Sequence, residues 1–155
     1  MGKKTMNEII YSQNELPEVI DLIYTQINPS TSSGRAADII TFTGPLGAGK
    51  STIVRELLRT YNIKEDILSP TFTYVNIYKN TEGQTFFHFD LYRIHDVEEF
   101  LMMGFDEYLR VSNSKVFIEW PEVIQSLLHE NVCHITLDYG SHLNERILKI
   151  EKSGV

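Results

Sequence analysis

Residues Gly44-Pro45-Leu46-Gly47-Ala48-Gly49-Lys50-Ser51 fit G-x-x-x-x-G-K-[ST], and no other stretch of the chain restricts its fold as tightly. An apolar, strand-like run, Ile39–Thr43, precedes them, and a helix-like run, Thr52–Arg59, follows. Strand, glycine-rich loop and helix in that order are the setting of a phosphate-binding P-loop. Gly44, Gly47 and Gly49 free the backbone to turn its N–H groups inward around phosphate oxygens. Lys50 is expected to reach the β- and γ-phosphates, and the Ser51 hydroxyl to bind Mg²⁺. The competing reading, a glycine-rich turn that happens to precede a helix, explains neither the lysine nor the hydroxyl.

The 155 residues suffice for one domain with a core, read here as a single P-loop ATPase domain over 1–155 in which residues 1–6 could be an N-terminal extension. Hydrophobic content of 42% and charged content of 23% are those of an ordinary globular protein, and no apolar run approaches the ~20 residues of a membrane span. The start, Met1-Gly-Lys-Lys-Thr-Met6, lacks the apolar segment of a secretory signal, and Met6 breaks the myristoylation pattern. Cys133, the one cysteine, excludes an intrachain disulfide and suits a reducing cytoplasm; in its apolar run it reads as a buried structural thiol. A net charge of −7 argues against direct, tight contact with nucleic acid, so an RNA-related role would pass through a partner protein.

Hydrophobic spacing predicts a short first strand at Glu8–Tyr11 and a helix to about Ile27, with Leu16, Val19, Ile20, Ile23 and Ile27 on one face. The cap of that helix is ambiguous. Ser12 with Glu15 reads as a capping box, whereas Pro17 falls in the first turn if Asn14 is the cap. Asn28–Gly34 is a polar loop. Pro70 favours an extended course for Ile67–Phe72. Thr73–Tyr78 and Thr85–Asp90 read as an antiparallel hairpin, residues 96–109 as helical, and Lys115–Glu119 as a buried strand. A helix from Pro121 to about His129 and a hairpin of Val132–Tyr139 with Glu145–Ile150 complete the chain. The fold class is α/β, a P-loop NTPase-like mixed parallel and antiparallel sheet flanked by helices.

A P-loop NTPase also needs an acid at the end of a neighbouring strand to hold Mg²⁺ or a water. Asp90 and Glu119 each end an apolar strand, where the ligand crevice of an open α/β sheet lies. One could bind the metal while the other orients the attacking water; the residues alone do not assign which. Ser69-Pro-Thr71-Phe72 lies where a switch segment would sense the γ-phosphate, with an extended linker as the alternative. Trp120 reads as a core or interface aromatic, Arg93 as a phosphate contact or a surface ion pair, and His88 as a satisfied sheet histidine. The five histidines and Cys133 make no zinc signature.

The P-loop, Ser69-Pro-Thr-Phe-Thr73, His88-Phe-Asp-Leu-Tyr-Arg93 and Ile118-Glu-Trp-Pro-Glu122, in this order and at close spacing, resemble the bacterial TsaE (YjeE) family over roughly Glu8 to Ile150. That family is the ATPase component of tRNA threonylcarbamoyladenosine biosynthesis. The resemblance implies ATP and Mg²⁺ as cofactors. Gly44, Gly47, Ala48, Gly49, Lys50, Ser51 and Thr52 would hold the nucleotide, with Ser51 a magnesium ligand. Thr71 would act as a switch residue, Asp90 would be needed for hydrolysis beside the metal, and Glu119 would bind Mg²⁺. Trp120 matches a tryptophan near the nucleotide, Ser12 a contact to the base, and Arg146 an arginine of the last strand. Two departures stand out: Pro45 replaces a common acid and removes a backbone donor, and Ser51 stands where Thr is frequent but keeps the hydroxyl.

By the same resemblance the partners are TsaB and TsaD, with tRNA reached only through them. The transferase chemistry would belong to TsaD, and ATP hydrolysis here would reset the complex. The alternative is a small-molecule P-loop kinase with Asp90 as base, although the six scattered arginines form no lid segment. A GTPase lacks its guanine-reading Asn-Lys-x-Asp segment here, and a non-catalytic nucleotide module is the remaining option.

Overall fold

The computed structural model describes residues 7–30 and 36–153. The suggested extension at 1–6 and most of the polar loop before Gly34 lie outside them. The strands are β1 (Asn7–Ser12), β2 (Ile39–Thr43), β3 (Val75–Lys79), β4 (Thr85–Asp90), β5 (Ser114–Glu119), β6 (Val132–Tyr139) and β7 (Glu145–Ser153). The α-helices are α1 (Leu16–Ile27), α2 (Lys50–Thr60) and α3 (Val97–Met102). All seven strands join in one sheet of order β1-β7-β6-β2-β5-β4-β3. Pairing is parallel for β6–β2, β2–β5 and β5–β4, and antiparallel at both flanks. This is the mixed α/β architecture expected from the pattern.

Two apolar layers sandwich the sheet. On one face α1 presents Val19, Ile20, Ile23 and Ile27, and α2 presents Ile53, Val54, Leu57 and Leu58, to a floor that includes Phe42, Phe86 and Phe117. Phe117 stacks between the other two rings, with centroids 6.3 and 6.4 Å away. Burying each such ring contributes roughly 2–3 kcal/mol, so the face that carries α2 is rigidly backed. On the other face Phe87, Phe89, Val116 and Ile118 pack against Phe100 of α3 and against 3₁₀ segments. β5 is buried along its whole length, as a central parallel strand must be.

Three expectations about local structure change. The helix expected over 96–109 stops at Met102, because Gly104 takes a left-handed φ of 76°, and continues as a 3₁₀ segment, Phe105–Arg110. The segment after Pro121 is a 3₁₀ helix to Leu127, broken at Ile124, rather than an α-helix. The strand expected from Thr73 begins at Val75, since Tyr74 sits at φ 66° in a turn closed by its N–H donating to Pro70 O (2.9 Å). The ambiguous cap resolves into two consecutive elements. Glu15 accepts from the Ser12 backbone N–H (2.7 Å) and hydroxyl (2.9 Å) across a 3₁₀ turn, Gln13–Glu15, and Pro17 then falls in the first turn of α1. Asn14 lies inside that turn and does not cap α1.

Candidate nucleotide-binding and catalytic site

The loop between β2 and α2 needs its glycines for two separate reasons. A Cβ at Gly44 would stand 2.3 Å from the carbonyl oxygen of Leu137, so the loop leaves the sheet through a gap that only hydrogen fits. Gly49, immediately before α2, takes φ 104°, a left-handed turn that aims the loop back over the helix N-terminus. Ala48 N–H donates to Pro45 O (3.2 Å), so the proline that lacks a donor still closes the turn through its carbonyl.

Lys50, the first residue of α2, turns back into this loop. Its Nζ donates to Gly44 O (2.5 Å) and Pro45 O (3.0 Å) and lies 3.9 Å from the centre of the Trp120 ring. Burial pushes its pKa down, against the pull of Glu119, Glu122 and Asp90. Trp120 reaches this place because its backbone is left-handed (φ 57°, ψ 57°) just past β5, with its N–H donating to Phe42 O (3.3 Å). A non-glycine residue in that conformation is strained by about 1 kcal/mol or more, a cost that recurs at functional sites. The indole, which the sequence left open between core and interface, therefore flanks the P-loop, with Tyr92 packed on it at 4.9 Å.

The two acids meet across the sheet. Asp90 and Glu119 end adjacent parallel strands and are register partners, so both carboxyls emerge on the α2 side at the same level. Glu119 is 2% exposed. Its Oε1 accepts from Ser51 Oγ (2.7 Å) and its Oε2 accepts from His88 Nε2 (2.6 Å). Asp90 is half-buried, and burial pushes its carboxyl pKa up, partly offset by the Tyr92 N–H donating to Oδ1 at 3.1 Å. Thr71, sharing a hydrogen bond of 3.0 Å with Ser69, faces the same cleft of about 410 Å³ as Lys50, Ser51, Asp90, Glu119 and Trp120. Arg93 is at its rim, with the guanidinium 4.5 Å from the Phe72 ring.

A second cleft, about 180 Å³, lies on the other side of the P-loop and shares Gly47, Gly49 and Thr52 with the first. Tyr11, Gln13 and Arg146 wall it, with Ala48 at its floor. Arg146 sits over the Tyr139 ring (4.9 Å) and donates to Leu143 O (3.0 Å) and Glu145 O (2.9 Å). Tyr139 in turn donates its hydroxyl to Leu46 O, tying β6 to the loop. Arg146, matched to an arginine of the family's last strand, thus lines this cleft, while Ser12, expected at the base, directs its hydroxyl to Glu15 and leaves the wall to Gln13. The pattern reads His88 as a satisfied sheet histidine, whereas one of its ring nitrogens holds Glu119 and the other has no partner among the described residues; the pattern does not single out Tyr139. His88 was legible through its spacing, two residues before Asp90 on a strand and so on the same face. Tyr139 had no signal, because its role depends on the β6–β2 pairing.

The donors present suit Mg²⁺. A hydroxyl and a carboxylate oxygen already lie 2.7 Å apart, and both are hard oxygen ligands. Among the described residues no group of three or more His, Cys, Asp or Glu side chains forms a metal cage. No helix of the described residues is long and apolar enough to cross a membrane.

A parallel sheet core, a lysine-bearing glycine loop opening a helix, and acids on the next strands define a P-loop nucleotide-binding protein. The model of the family described as threonylcarbamoyl adenosine biosynthesis protein TsaE matches residues 13–148. The chain is 37% identical over 116 residues to the tRNA threonylcarbamoyladenosine biosynthesis protein TsaE of Rickettsia typhi, covering 74% of this chain and 78% of that protein. It is 32% identical over 143 residues to the TsaE of Rickettsia felis, covering 92% and 77%. The chain belongs to the TsaE family. Its fold is also that of YdiB from Bacillus subtilis, whose crystal structure superposes with a TM-score of 0.72 over 99% of this chain and 90% of that one, at 21% identity.

Proposed function

We propose that this protein is a Mg²⁺-dependent ATPase that serves threonylcarbamoyladenosine biosynthesis in tRNA, working in the cytoplasm with TsaB and TsaD. The observation that carries this is the Ser51–Glu119 contact with Asp90 in register beside it, beneath a P-loop whose lysine is already aimed inward. The amides of Gly47 to Ser51 and the Lys50 ammonium bind the polyphosphate; phosphate oxygens replace the Gly44 and Pro45 carbonyls as partners of Nζ. Ser51 and Glu119 hold the metal, which when bound neutralises charge on the β- and γ-phosphates. Asp90, unbonded to Ser51, orients the attacking water and takes up its proton. Thr71 faces the γ-phosphate end of the cleft, and Trp120 shields the lysine. The nucleoside end lies in the second cleft, between Tyr11, Gln13 and Arg146.

The net charge of −7 supports leaving tRNA contact to the partners. Turnover is expected to be slow alone and stimulated when TsaB and TsaD are present. The test is ATP hydrolysis by the three-protein mixture with wild type and with Asp90→Asn. The substitution should lower turnover by about 100-fold while Mg·ATP still binds. Equal turnover would reduce the protein to a passive nucleotide module, and a phosphorylated small-molecule product would establish the kinase alternative instead.

A further inference from the structure

β4 reads Phe86-Phe87-His88-Phe89, and every ring in that run is buried. An aromatic needed only to fill position 88 would be another phenylalanine. The histidine instead spends one nitrogen on Glu119 and leaves the other, Nδ1, buried without a hydrogen-bond partner among the described residues. Buried polar atoms are almost always paired, so the orphaned nitrogen calls for an explanation, and the Glu119 contact of Nε2 supplies one. A carboxylate oxygen accepts, so the hydrogen of this contact sits on Nε2.

We infer that His88 is a positioning residue of the metal site: its Nε2–H fixes the Glu119 carboxylate so that Oε1 stays turned to Ser51. The inference rests on the reading of Ser51 and Glu119 as metal ligands. Glu119 has two oxygens, and a free carboxylate would rotate between donors. With Oε2 tied at 2.6 Å to a ring buried in the sheet, only Oε1 is left to face the cleft. The rigidity comes from below, where His88 is the register partner of Phe117 in the stacked aromatic floor. Hydrogen bonds that orient metal-binding carboxylates typically govern metal affinity by 10–100-fold.

Trp120 is the sole tryptophan and lies over Lys50, so its fluorescence reports on the site without turnover. Wild type, His88→Phe and His88→Gln are titrated with ATP in EDTA, and then with Mg²⁺ at saturating ATP. Phe keeps the bulk and loses the donor; Gln places an amide nitrogen at the reach of Nε2. Metal-free ATP binding should be the same in all three. The Mg²⁺ midpoint should rise about 10–100-fold in the Phe variant and return to near the wild-type value in the Gln variant. Equal midpoints for Phe and wild type, or a Gln variant as impaired as Phe, would overturn the role of His88. Should the Phe variant fail to melt cooperatively, His88→Asn replaces it: its amide stops short of Glu119, so it should show the raised midpoint that Gln lacks, and parity between the two amides overturns the inference. A wild type whose ATP signal ignores Mg²⁺ overturns the metal-site reading itself, and this inference with it.

Discussion

Two lysines are buried at opposite ends of the parallel strands, and they differ in what holds them. Lys50, at the C-terminal end, is 5% exposed; Lys115, near the N-terminal end of β5, is 4% exposed. Burial lowers both pKa values, and both ammonium groups donate to backbone carbonyls. Lys115 bonds Ala37 O (2.7 Å), a residue 78 positions away, and so staples the start of β2 to β5; the opposing charge that acts on it most is Asp38. Lys50 bonds carbonyls five and six residues away in its own loop, under an indole, with three acids in range. A buried lysine is therefore not by itself a sign of function. What distinguishes the site is that its lysine is held by local, replaceable partners, while the structural one closes a long-range contact.

The sharpest way to break that contrast is Lys50→Ala. The loss of a charge-assisted contact to polyphosphate should weaken Mg·ATP binding by at least about 100-fold, roughly 3 kcal/mol, as read by calorimetry. Thermal stability should hardly fall, because Pro45 is exposed and Gly44 only partly buried, so water can replace the ammonium at their carbonyls. Binding heat like that of the wild type would show that Lys50 is as structural as Lys115.

Lys115→Met tests the other half. Ala37 O loses its buried donor, at a cost of about 1–3 kcal/mol, so the melting temperature should drop by several degrees, while ATP affinity stays within about twofold. The pH dependence adds a sign. The folded-state pKa of Lys115 is lowered while the unfolded chain keeps 10.5, so the unfolded state binds the extra proton between those values, and stability rises with pH across that window. The Met variant should lack this rise in alkaline melting curves. A fall in ATP affinity comparable to that of the Lys50 variant would erase the distinction between the two ends.

How much of this was legible beforehand follows the range of the interactions. The P-loop, its flanking strand and helix, both hairpins and the two strand-ending acids are written in short spacings, and each appears within a few residues of where the pattern placed it. The elements misread were those governed by single backbone conformations: Gly104 interrupting a helical run, Ile124 breaking the segment after Pro121, Tyr74 delaying a strand. Hydrophobic period does not encode these. Within the site, Asp90 and Glu119 could be named, but not that they are register partners, nor that His88 and Ser51 divide the two oxygens of Glu119. Those facts depend on β4–β5 and β2–β5 pairing, which bring together residues about 30 to 70 apart in the chain. The residue pattern alone left Trp120 between core and interface, and only the family resemblance put it near the nucleotide, since its position over Lys50 requires a left-handed turn that no residue type advertises.

Cys133 offers the smallest effect and a control for both lysines. It is fully buried in β6, register partner of Ile40 in the centre of the sheet, and burial pushes its thiol up to about 11 from 9.0. An acid whose folded pKa is raised ionises first in the unfolded chain, so its contribution to stability is lost as pH climbs from about 9 towards 11. That loss should reach about 1 kcal/mol near pH 9.5, and a Cys133→Ala variant, compared with wild type across pH, should be missing it. Lys115 works in the opposite direction over an overlapping range, so the doubly substituted chain should have a flatter alkaline profile than either parent. Nucleotide affinity at neutral pH should be untouched in all of these variants. If Cys133→Ala weakened Mg·ATP binding as Lys50→Ala does, the sheet centre would be mechanically coupled to the P-loop, and the separation between a rigid structural end and an exchangeable functional end would not hold.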